Sequence, residues 1–350
     1  IKIFIENTFK EEKIKYKELS VYSSPTRLTL FIKDLAEKIK IEAKVIKGPK
    51  VGSSNQVVEG FLRAKNAFPA DLIEKDTEKG KFYFIKTQSQ SILVEDLLTK
   101  IIPKAIGSIN WKKSMKWADH NLMWGRPLRS IFASFNNKKL SFKYEHLDVV
   151  DEIIIEQDLV IKTKKIKDFK DYLNFLKSNK IIVDHKEREE IILKKIKSFS
   201  QSRQYKETLN TKLLEEVVNI VEDPNLLHVS FNKDYLEIPK EIIISTLEKH
   251  QRYFPIFDSR DRLTNYFFVV ANKKDEKKLI TQGNKRVVEA RLADAKFFWE
   301  KDKSKNLIKQ IANLKSITFF EKLGTIFEKT QRLRHLAGVL SDDLNINKEK

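Results

Sequence analysis

The 350-residue sequence predicts an α+β (mixed α/β) protein. Segments with alternating apolar residues, typical of strands, are interspersed with segments whose apolar residues recur every three or four positions, typical of helices. Hydrophobic residues make up 41% of the chain, which is enough for buried cores, and the length predicts two or three domains. The sequence has no internal repeat and no low-complexity linker, which argues against a repeat architecture.

The first part of the chain mixes short strands and helices. Leu19 to Ile32 has the pattern of two strands around the turn at Ser23-Ser24-Pro25. Further patterns predict these elements: a helix end over residues 1–17, a helix from Gln56 to Asn66, a strand from Lys81 to Thr87, a helix from Ile92 to Ile106, and two strands between Gly125 and Tyr144 joined at Asn136-Asn137. This mixture predicts one α/β domain over residues 1–160.

Residues 161–212 are rich in Lys and poor in Gly and Pro. Two helical patterns run through them, from Phe169 to Leu176 and from Ile191 to Phe199. Glu and Asp are interspersed with the Lys residues, as is typical of solvent-exposed helices. We therefore predict a Lys-rich helical insertion or linker, with a basic arm along a polyanion as the alternative.

Residues 213–302 contain the two densest clusters of basic and aromatic residues. The first cluster, Lys249 to Pro255, ends a helix that Pro239 opens. This helix should carry the following residues along one side: Ile243, Thr246, Leu247 and His250. An almost wholly apolar segment, Tyr266 to Ala271, follows and predicts a strand covered on both faces. The second cluster lies on a helix from about Asn284 to Asp302.

One residue of this last helix conflicts with its pattern. At about 100° per residue, Arg291 shares an arc with apolar residues. These are Val287, Val288, Leu292, Ala295, Phe298 and Trp299. An Arg among core positions keeps its charge and needs a fixed anionic or carbonyl partner. One interpretation is an internal ion pair with Asp294, and the other is a contact with a phosphate or a partner subunit.

The apolar pattern from residue 303 onward is helical and includes Phe319 and Phe320. We predict the start of a helical domain over residues 303–350. The chain begins on Ile1 without Met and ends at Lys350 within a helical pattern, so we expect it to be part of a longer protein.

The amino-acid composition indicates which kinds of binding partner and site this protein can have. A net charge of +19 and a pI of about 9.6 indicate a polyanionic partner such as nucleic acid. Drift of an AT-rich genome toward Lys codons is an alternative source of the excess charge. The absence of Cys excludes disulfides, thiolate catalysis and Cys-based zinc sites. No apolar run approaches a membrane span, and charges interrupt any signal-peptide core at the start.

Motifs for catalysis or metal binding are absent from the sequence. There is no Gly-rich phosphate loop, no pair of His residues with metal-ligand spacing and no nucleophilic Ser in a GxSxG context. We therefore predict no catalytic residue and no metal site in this chain.

Four sequence motifs carry a resemblance to a known family, and we call them family motifs. They are KHQRYFPIFDSRDRL (249–263), YFFVVAN (266–272), GNKRVVEARLADAKFFWEKD (283–302) and FFEKLGTIFEKTQRL (319–333). Weaker matches lie upstream: SSPTRLTLFIKDLAEK (23–38), KGP (47–49), MKWAD (115–119) and RPLRSI (126–131). In their order and spacing, these motifs resemble the N-terminal part of the beta subunit of the bacterial alpha2beta2 glycyl-tRNA synthetase.

The resemblance implies a ligase subunit. The alpha subunit of such an enzyme would form glycyl-adenylate with ATP and Mg, while the beta subunit binds tRNA(Gly) and supports alpha in a cytoplasmic heterotetramer. It also implies that the N-terminal domain is similar to the tRNA/editing-type domain of phenylalanyl-tRNA synthetase beta chains. Residues 303–350 would begin an HD-like domain. Neither a cofactor in this chain nor a membrane contact is expected.

The candidate tRNA-binding residues are taken from the basic clusters and the family motifs. They are Lys249, Arg252, Tyr253, Lys285, Arg286, Arg291 and Arg126. The sequence departs from the family at residues 144–160. The family usually has a GHRF-type motif there, whereas this sequence reads YEHLDVVDEIIIEQDLV.

Two other functions remain as hypotheses. The first is a stand-alone RNA-binding or scaffolding module without ligase activity. The second is a hydrolytic editing domain, which is disfavoured because a pocket for glycine, the smallest amino acid, excludes larger ones sterically.

Overall fold

The α+β class is confirmed by the computed structural model, in which helices and strands form two compact units, Ile1–His185 and Lys186–Lys350. The structure describes residues 1–41, 45–65, 67–86, 89–157, 159–206 and 209–346. The predicted last residues of a helix at Asn66, of a strand at Thr87 and of the chain at Lys350 lie outside this set. No helix in the described ranges is both long and apolar enough to cross a membrane. The sequence-based division at residues 160, 212 and 302 stays a prediction.

The first unit is built from short elements. Its helices are α1 (Lys2–Glu11), α2 (Asn55–Lys65), α3 (Val94–Gly107) and α4 (Phe169–Ser178). Its strands are β1 (Glu18–Ser24), β2 (Arg27–Lys33), β3 (Lys38–Ile41), β4 (Val45–Lys50), β5 (Leu72–Thr77), β6 (Gly80–Lys86), β7 (Gln90–Leu93), β8 (Ile131–Phe132), β9 (Ser134–Phe135), β10 (Lys138–Lys139), β11 (Lys143–Tyr144), β12 (Leu147–Val150), β13 (Ile153–Gln157) and β14 (Val160–Lys164).

Small sheets connect these strands. β1 pairs with β2, β3 with β7, β9 with β10 and β13 with β14, while β4-β6-β5 and β11-β12-β8 form three-stranded sheets. The predicted hairpin at Asn136-Asn137 is confirmed. Both residues have positive φ, 48° and 60°, which is the backbone that a two-residue turn between antiparallel strands favours.

Two clusters of buried residues hold the first unit together. One joins α1 to α3 through Ile5, Phe9 and Leu98. The other joins β13 to α4, where Leu176 is completely buried. The Asp168 carboxylate accepts a hydrogen bond from the backbone N–H of Asp171 at 2.7 Å and so caps the N-terminus of α4.

The second unit contains longer helices and a continuous sheet. Its helices are α5 (His185–Arg203), α6 (Thr211–Val218), α7 (Lys240–Ser245), α8 (Leu279–Lys303), α9 (Leu307–Gln310) and α10 (Ile326–Asp343). Its strands are β15 (Tyr205–Lys206), β16 (Asn225–Ser230), β17 (Phe254–Asp258), β18 (Leu263–Ala271), β19 (Thr318–Phe320) and β20 (Gly324–Thr325). Both helical patterns predicted within residues 161–212 are confirmed as α4 and α5.

An antiparallel sheet in the order β15-β17-β18-β16 lies at the centre of the second unit. On one face, Phe268 packs with residues of α5 and α6, including Ile192 and Val217. On the other face, Phe267 packs with residues of α7 and α8, including Ile243 and Leu292. The prediction of a strand covered on both faces is therefore confirmed for β18, since alternate side chains of a strand enter opposite cores.

Two local predictions are wrong. His250 is exposed, unlike Ile243 and Leu247, because α7 continues as a π-helix over Thr246–His250 and the wider turn rotates its last residue away from the core. Phe319 and Phe320 belong to β19, which pairs with β20, and are not helical.

Candidate nucleic-acid interface

The carboxyl end of β18 is where the two basic clusters meet. A cavity of about 410 Å³ opens there between α6, the residues after the π-helix, the end of β18 and the first turns of α8. It is lined by Val217, Ile220, Gln251, Arg252, Tyr253, Val269, Val270, Ala271, Asn272, Lys273, Ile280 and Asn284. Residues from two of the family motifs, 249–263 and 283–302, thus line the same cavity.

The π-helix and the residue after it set the backbone on one side of this cavity. The Thr246 hydroxyl donates a hydrogen bond to the Ile242 carbonyl at 2.8 Å, and the Tyr253 N–H donates to the Leu247 carbonyl at 3.0 Å. Between them, Arg252 takes a φ of 61°, the left-handed conformation that usually belongs to Gly at a helix end. A π-helix and a strained non-Gly residue both occur preferentially at functional sites.

The Arg252 side chain is held by acceptors from its own unit. Its guanidinium forms an ion pair with Glu216 of α6 and donates hydrogen bonds to the carbonyls of Lys249 and Glu248. The side chain nevertheless stays 42% exposed. Arg252 is therefore a fixed, accessible cation at the edge of the cavity.

Tyr253 connects the two clusters. Its hydroxyl donates a hydrogen bond to Asn284 Oδ1, and the Asn284 amide donates in turn to the Ile280 carbonyl at 2.7 Å. Its ring stacks on Phe267 with centroids 5.3 Å apart, and burial raises the pKa of its hydroxyl. Tyr253 thus orients α8 against the π-helix, and its direct contact with tRNA stays a prediction.

The remaining candidates in this unit are exposed. Lys285 and Arg286 follow Asn284 on α8, and the Lys285 Nζ lies 3.9 Å from a carboxylate oxygen of Glu289. Lys249, in the π-helix, is exposed as well. Phosphate oxygens could reach all three side chains.

The predicted burial of Arg291 is wrong. The face of α8 that enters the core is formed by Val288 and Leu292, both completely buried, whereas Arg291 is exposed together with Val287 and Phe298. Arg291 and Asp294 form no ion pair within the described ranges. The apolar arc of α8 is wider than the surface it packs against, so an Arg at its margin keeps its hydration.

Asp275 fixes the N-terminus of α8. Its carboxylate accepts hydrogen bonds from the Ile280 and Thr281 N–H groups at 3.0 and 2.7 Å and from the Thr281 hydroxyl at 2.6 Å. Desolvation acts to raise the pKa of Asp275, but the hydrogen bonds from Thr281 and the backbone outweigh it and lower the pKa below its usual value. The positive end of a helix also favours this carboxylate.

Sequence analysis overlooked four polar lining residues, Gln251, Asn272, Lys273 and Asn284. Gln and Asn carry no charge pattern, so their residue types alone do not indicate binding. A usable signal was position, because Lys273 belongs to a Lys-rich run, residues 273–278, that directly follows a buried strand. Strand ends are common places for binding sites.

Arg126 belongs to the first unit and is exposed. It follows a bridge between Met115 and Trp124, and the Trp124 ring packs on Trp111 with centroids 4.9 Å apart. In the described part of the chain, no group of three or more His, Asp or Glu residues is arranged to hold a metal ion.

The comparisons with known proteins identify similar sequences. The model of a family described as glycyl-tRNA synthetase beta subunit matches residues 1–350. Proteins named glycine–tRNA ligase beta subunit are 33% identical over 352 residues in Halothermothrix orenii, 32% over 355 in Clostridioides difficile and 31% over 345 in Rickettsia felis. These alignments cover 98%, 99% and 98% of this chain and 51% of each relative, so the chain spans about half the length of the curated relatives it matches.

The backbone at Arg252 predicts an unusual substitution pattern. Arg252→Gly and Arg252→Ala both remove the ion pair with Glu216, but only Gly accepts a positive φ without strain. We expect the Gly variant to have the higher free energy of unfolding, by about 1 kcal/mol. Urea denaturation of both variants measures the difference. Equal stability, or a more stable Ala variant, would show that this residue is not held in the left-handed conformation.

The Asp275 cap predicts a pH-dependent stability. Because the pKa of Asp275 is lower in the folded state, its contribution is complete above the unfolded value of about 3.9 and is lost as pH falls through the folded pKa. Wild type should exceed Asp275→Asn in unfolding free energy at neutral pH, and the gap should close in acid. Asp294→Asn, which changes an exposed carboxylate of the same helix, is the control and should have little effect. A gap that stays constant down to the acid limit would exclude the charged cap.

Proposed function

Since the chain belongs to the glycyl-tRNA synthetase beta subunit family, as its sequence motifs predicted, we propose that it is the N-terminal part of a glycine–tRNA ligase beta subunit. In this proposal it binds tRNA(Gly) and supports the alpha subunit in an alpha2beta2 enzyme of the cytoplasm. The observation that carries the tRNA-binding part is the shared cavity, which brings Arg252 of one family motif next to Asn284 of another, the residue directly before Lys285 and Arg286. The names of the relatives favour a ligase subunit over a stand-alone RNA-binding module.

Binding would depend mainly on phosphate contacts. Lys249, Lys285 and Arg286 are exposed, and Arg252 offers a fixed guanidinium, which can bind phosphate oxygens in a bidentate manner. Contacts of this kind position a protein on RNA without reading its sequence. The net charge of +19 supports the same interpretation, because it raises the rate of encounter with a polyanion.

We assign the adenylate-forming site, with its ATP and Mg, to the alpha subunit. The sequence offers no phosphate-binding loop, and the described residues do not bring together a set of metal ligands. The chemistry contributed by this chain is then binding and orientation of the tRNA.

The finer fold assignments are also proposals. We propose that the first unit is similar to the tRNA/editing-type domain of phenylalanyl-tRNA synthetase beta chains, and that residues 303–350 begin an HD-like domain. In support of the second assignment, α9 and α10 contain no buried residue, while Leu307, Phe320 and Leu336 are exposed. Apolar residues at this density require a covering partner, and the relatives are about twice as long.

Salt dependence tests the tRNA-binding proposal. We expect the affinity for tRNA to fall steeply with salt, with a log–log slope of about 0.7 to 0.9 for each phosphate contacted. The double variant Lys285→Ala/Arg286→Ala should weaken binding and reduce the slope by one to two such increments. Lys194→Ala/Lys197→Ala removes two exposed Lys residues from α5, on the other face of the sheet, and serves as the matched control. A flat salt response of the wild-type chain would contradict the proposal.

ATP–pyrophosphate exchange tests where the chemistry occurs. The purified chain with glycine, ATP and Mg should give background exchange, because its sequence contains no Gly-rich phosphate-binding loop. A complete enzyme with both subunits is the positive control. Glycine-dependent exchange by this chain alone would move the adenylate site into it and refute the assignment to alpha.

A further inference from the structure

The cavity at the end of β18 has walls of a kind that the phosphate contacts do not explain. Half of its lining is aliphatic, formed by Val217, Ile220, Val269, Val270, Ala271 and Ile280. A surface that bound phosphate alone would be expected to be charged and open. At about 410 Å³ the cavity lies at the small end of the range for small-ligand sites, about 300–1,000 Å³.

The polar lining is rich in amides and cations. Gln251, Asn272 and Asn284 contribute carboxamides, Arg252 and Lys273 contribute positive charge, and none of the described lining residues is acidic. Both sides of the Asn284 amide are already hydrogen bonded, to Tyr253 and Ile280, and Asn272 Oδ1 accepts from the Glu222 and Asp223 N–H groups. Gln251 is half-buried, and its side-chain amide has no hydrogen-bond partner in the described ranges. It can therefore donate and accept toward a ligand.

Aliphatic walls, an unpartnered amide and adjacent cations together match one chemical group. The base of a nucleotide has flat apolar faces and an edge of donors and acceptors, and the ribose that bears it carries a phosphate. Unpaired bases are the part of RNA that proteins read in this way, with the base out of the stack and its edge hydrogen bonded. The exposed Ile220 lies where this cavity adjoins a second one of about 720 Å³, and both cavities share Arg252.

We propose that this cavity receives one unpaired nucleotide of the bound RNA. The base lies against Ile220 and Ile280, Gln251 hydrogen bonds to its edge, and Arg252 with Lys273 contacts the flanking phosphate. The inference rests on the proposed tRNA binding, which it refines from a phosphate-tracking surface to one that distinguishes unpaired from paired RNA.

Two RNAs with equal numbers of phosphates test the proposal by fluorescence anisotropy. One is a hairpin with a short single-stranded extension, and the other is a blunt hairpin. We expect the wild-type chain to bind the extended hairpin about tenfold more tightly, a difference of about 1.4 kcal/mol in binding free energy. Gln251→Glu and Ile220→Ala should each remove most of this preference.

Matched controls separate the cavity from general effects. Gln282→Glu places the same negative charge on an exposed position of α8, and Ile308→Ala truncates an Ile that is 77% exposed, compared with 58% for Ile220. Both controls should keep the preference for the extended hairpin. Because Ile220 is exposed, its truncation should not impair folding, which circular dichroism would verify.

The possible outcomes distinguish this proposal from the one on which it rests. Equal binding of the two RNAs, or a preference that Gln251→Glu and Ile220→Ala leave intact, would overturn the nucleotide pocket while tRNA binding stands. Displacement of the extended hairpin by low concentrations of adenosine monophosphate would also overturn it, in favour of a free-nucleotide site. Failure to bind either hairpin or tRNA would refute both proposals.

Discussion

The second unit depends on burial of β18 on both faces. Phe267 and Phe268 are consecutive residues of this strand and enter opposite cores, one beneath α7 and α8 and the other beneath α5 and α6. Strand β17 pairs with β18 over Leu263–Phe268 and β16 pairs with it over Tyr266–Ala271, so both edges are hydrogen bonded in the middle of the strand. With the faces covered and the middle paired on both edges, the strand is most accessible towards its ends. The cavity at its carboxyl end therefore follows from the way in which the core is completed.

Hydrophobic periodicity was sufficient to predict the elements but not the limits of their buried faces. The run from Tyr266 to Ala271 indicated a central strand, because few other arrangements bury six consecutive apolar residues. Arg291 illustrates the limit, since a helical arc shows which residues could be buried and the width of the opposing surface decides which are. Arg188 is the converse case. It is completely buried on α5, where its Nε donates to the Val218 carbonyl at 2.9 Å, although its charged neighbours predicted a solvent-exposed segment.

The site could be predicted in part. The cluster Lys249 to Pro255 was recognised from its residue types and its family motif. Which of its residues are exposed and which are buried, however, depends on the backbone geometry. The π-helix exposes Lys249 and His250, and the left-handed turn at Arg252 then carries Tyr253 into the core. A π-helix has no strong sequence signature, so an aromatic residue that seals the core could not be distinguished from one that stacks on a base. The participation of Asn284 depends on the tertiary contact with Tyr253 and could not be anticipated for the same reason.

The ion pair between Arg252 and Glu216 is compatible with binding of a phosphate by the same guanidinium. A partly exposed pair contributes about 0–1 kcal/mol to stability, so releasing it costs little. A charge-assisted hydrogen bond to a phosphate contributes about 1.5–3 kcal/mol, which exceeds that cost. Glu216 and the Lys249 carbonyl already restrict the rotamers of this long side chain, so part of the entropy that phosphate binding would cost is lost in advance. Arg252 is therefore preorganised at the mouth of the cavity, and exchange of a carboxylate for a phosphate can occur without rearrangement of the π-helix that positions it.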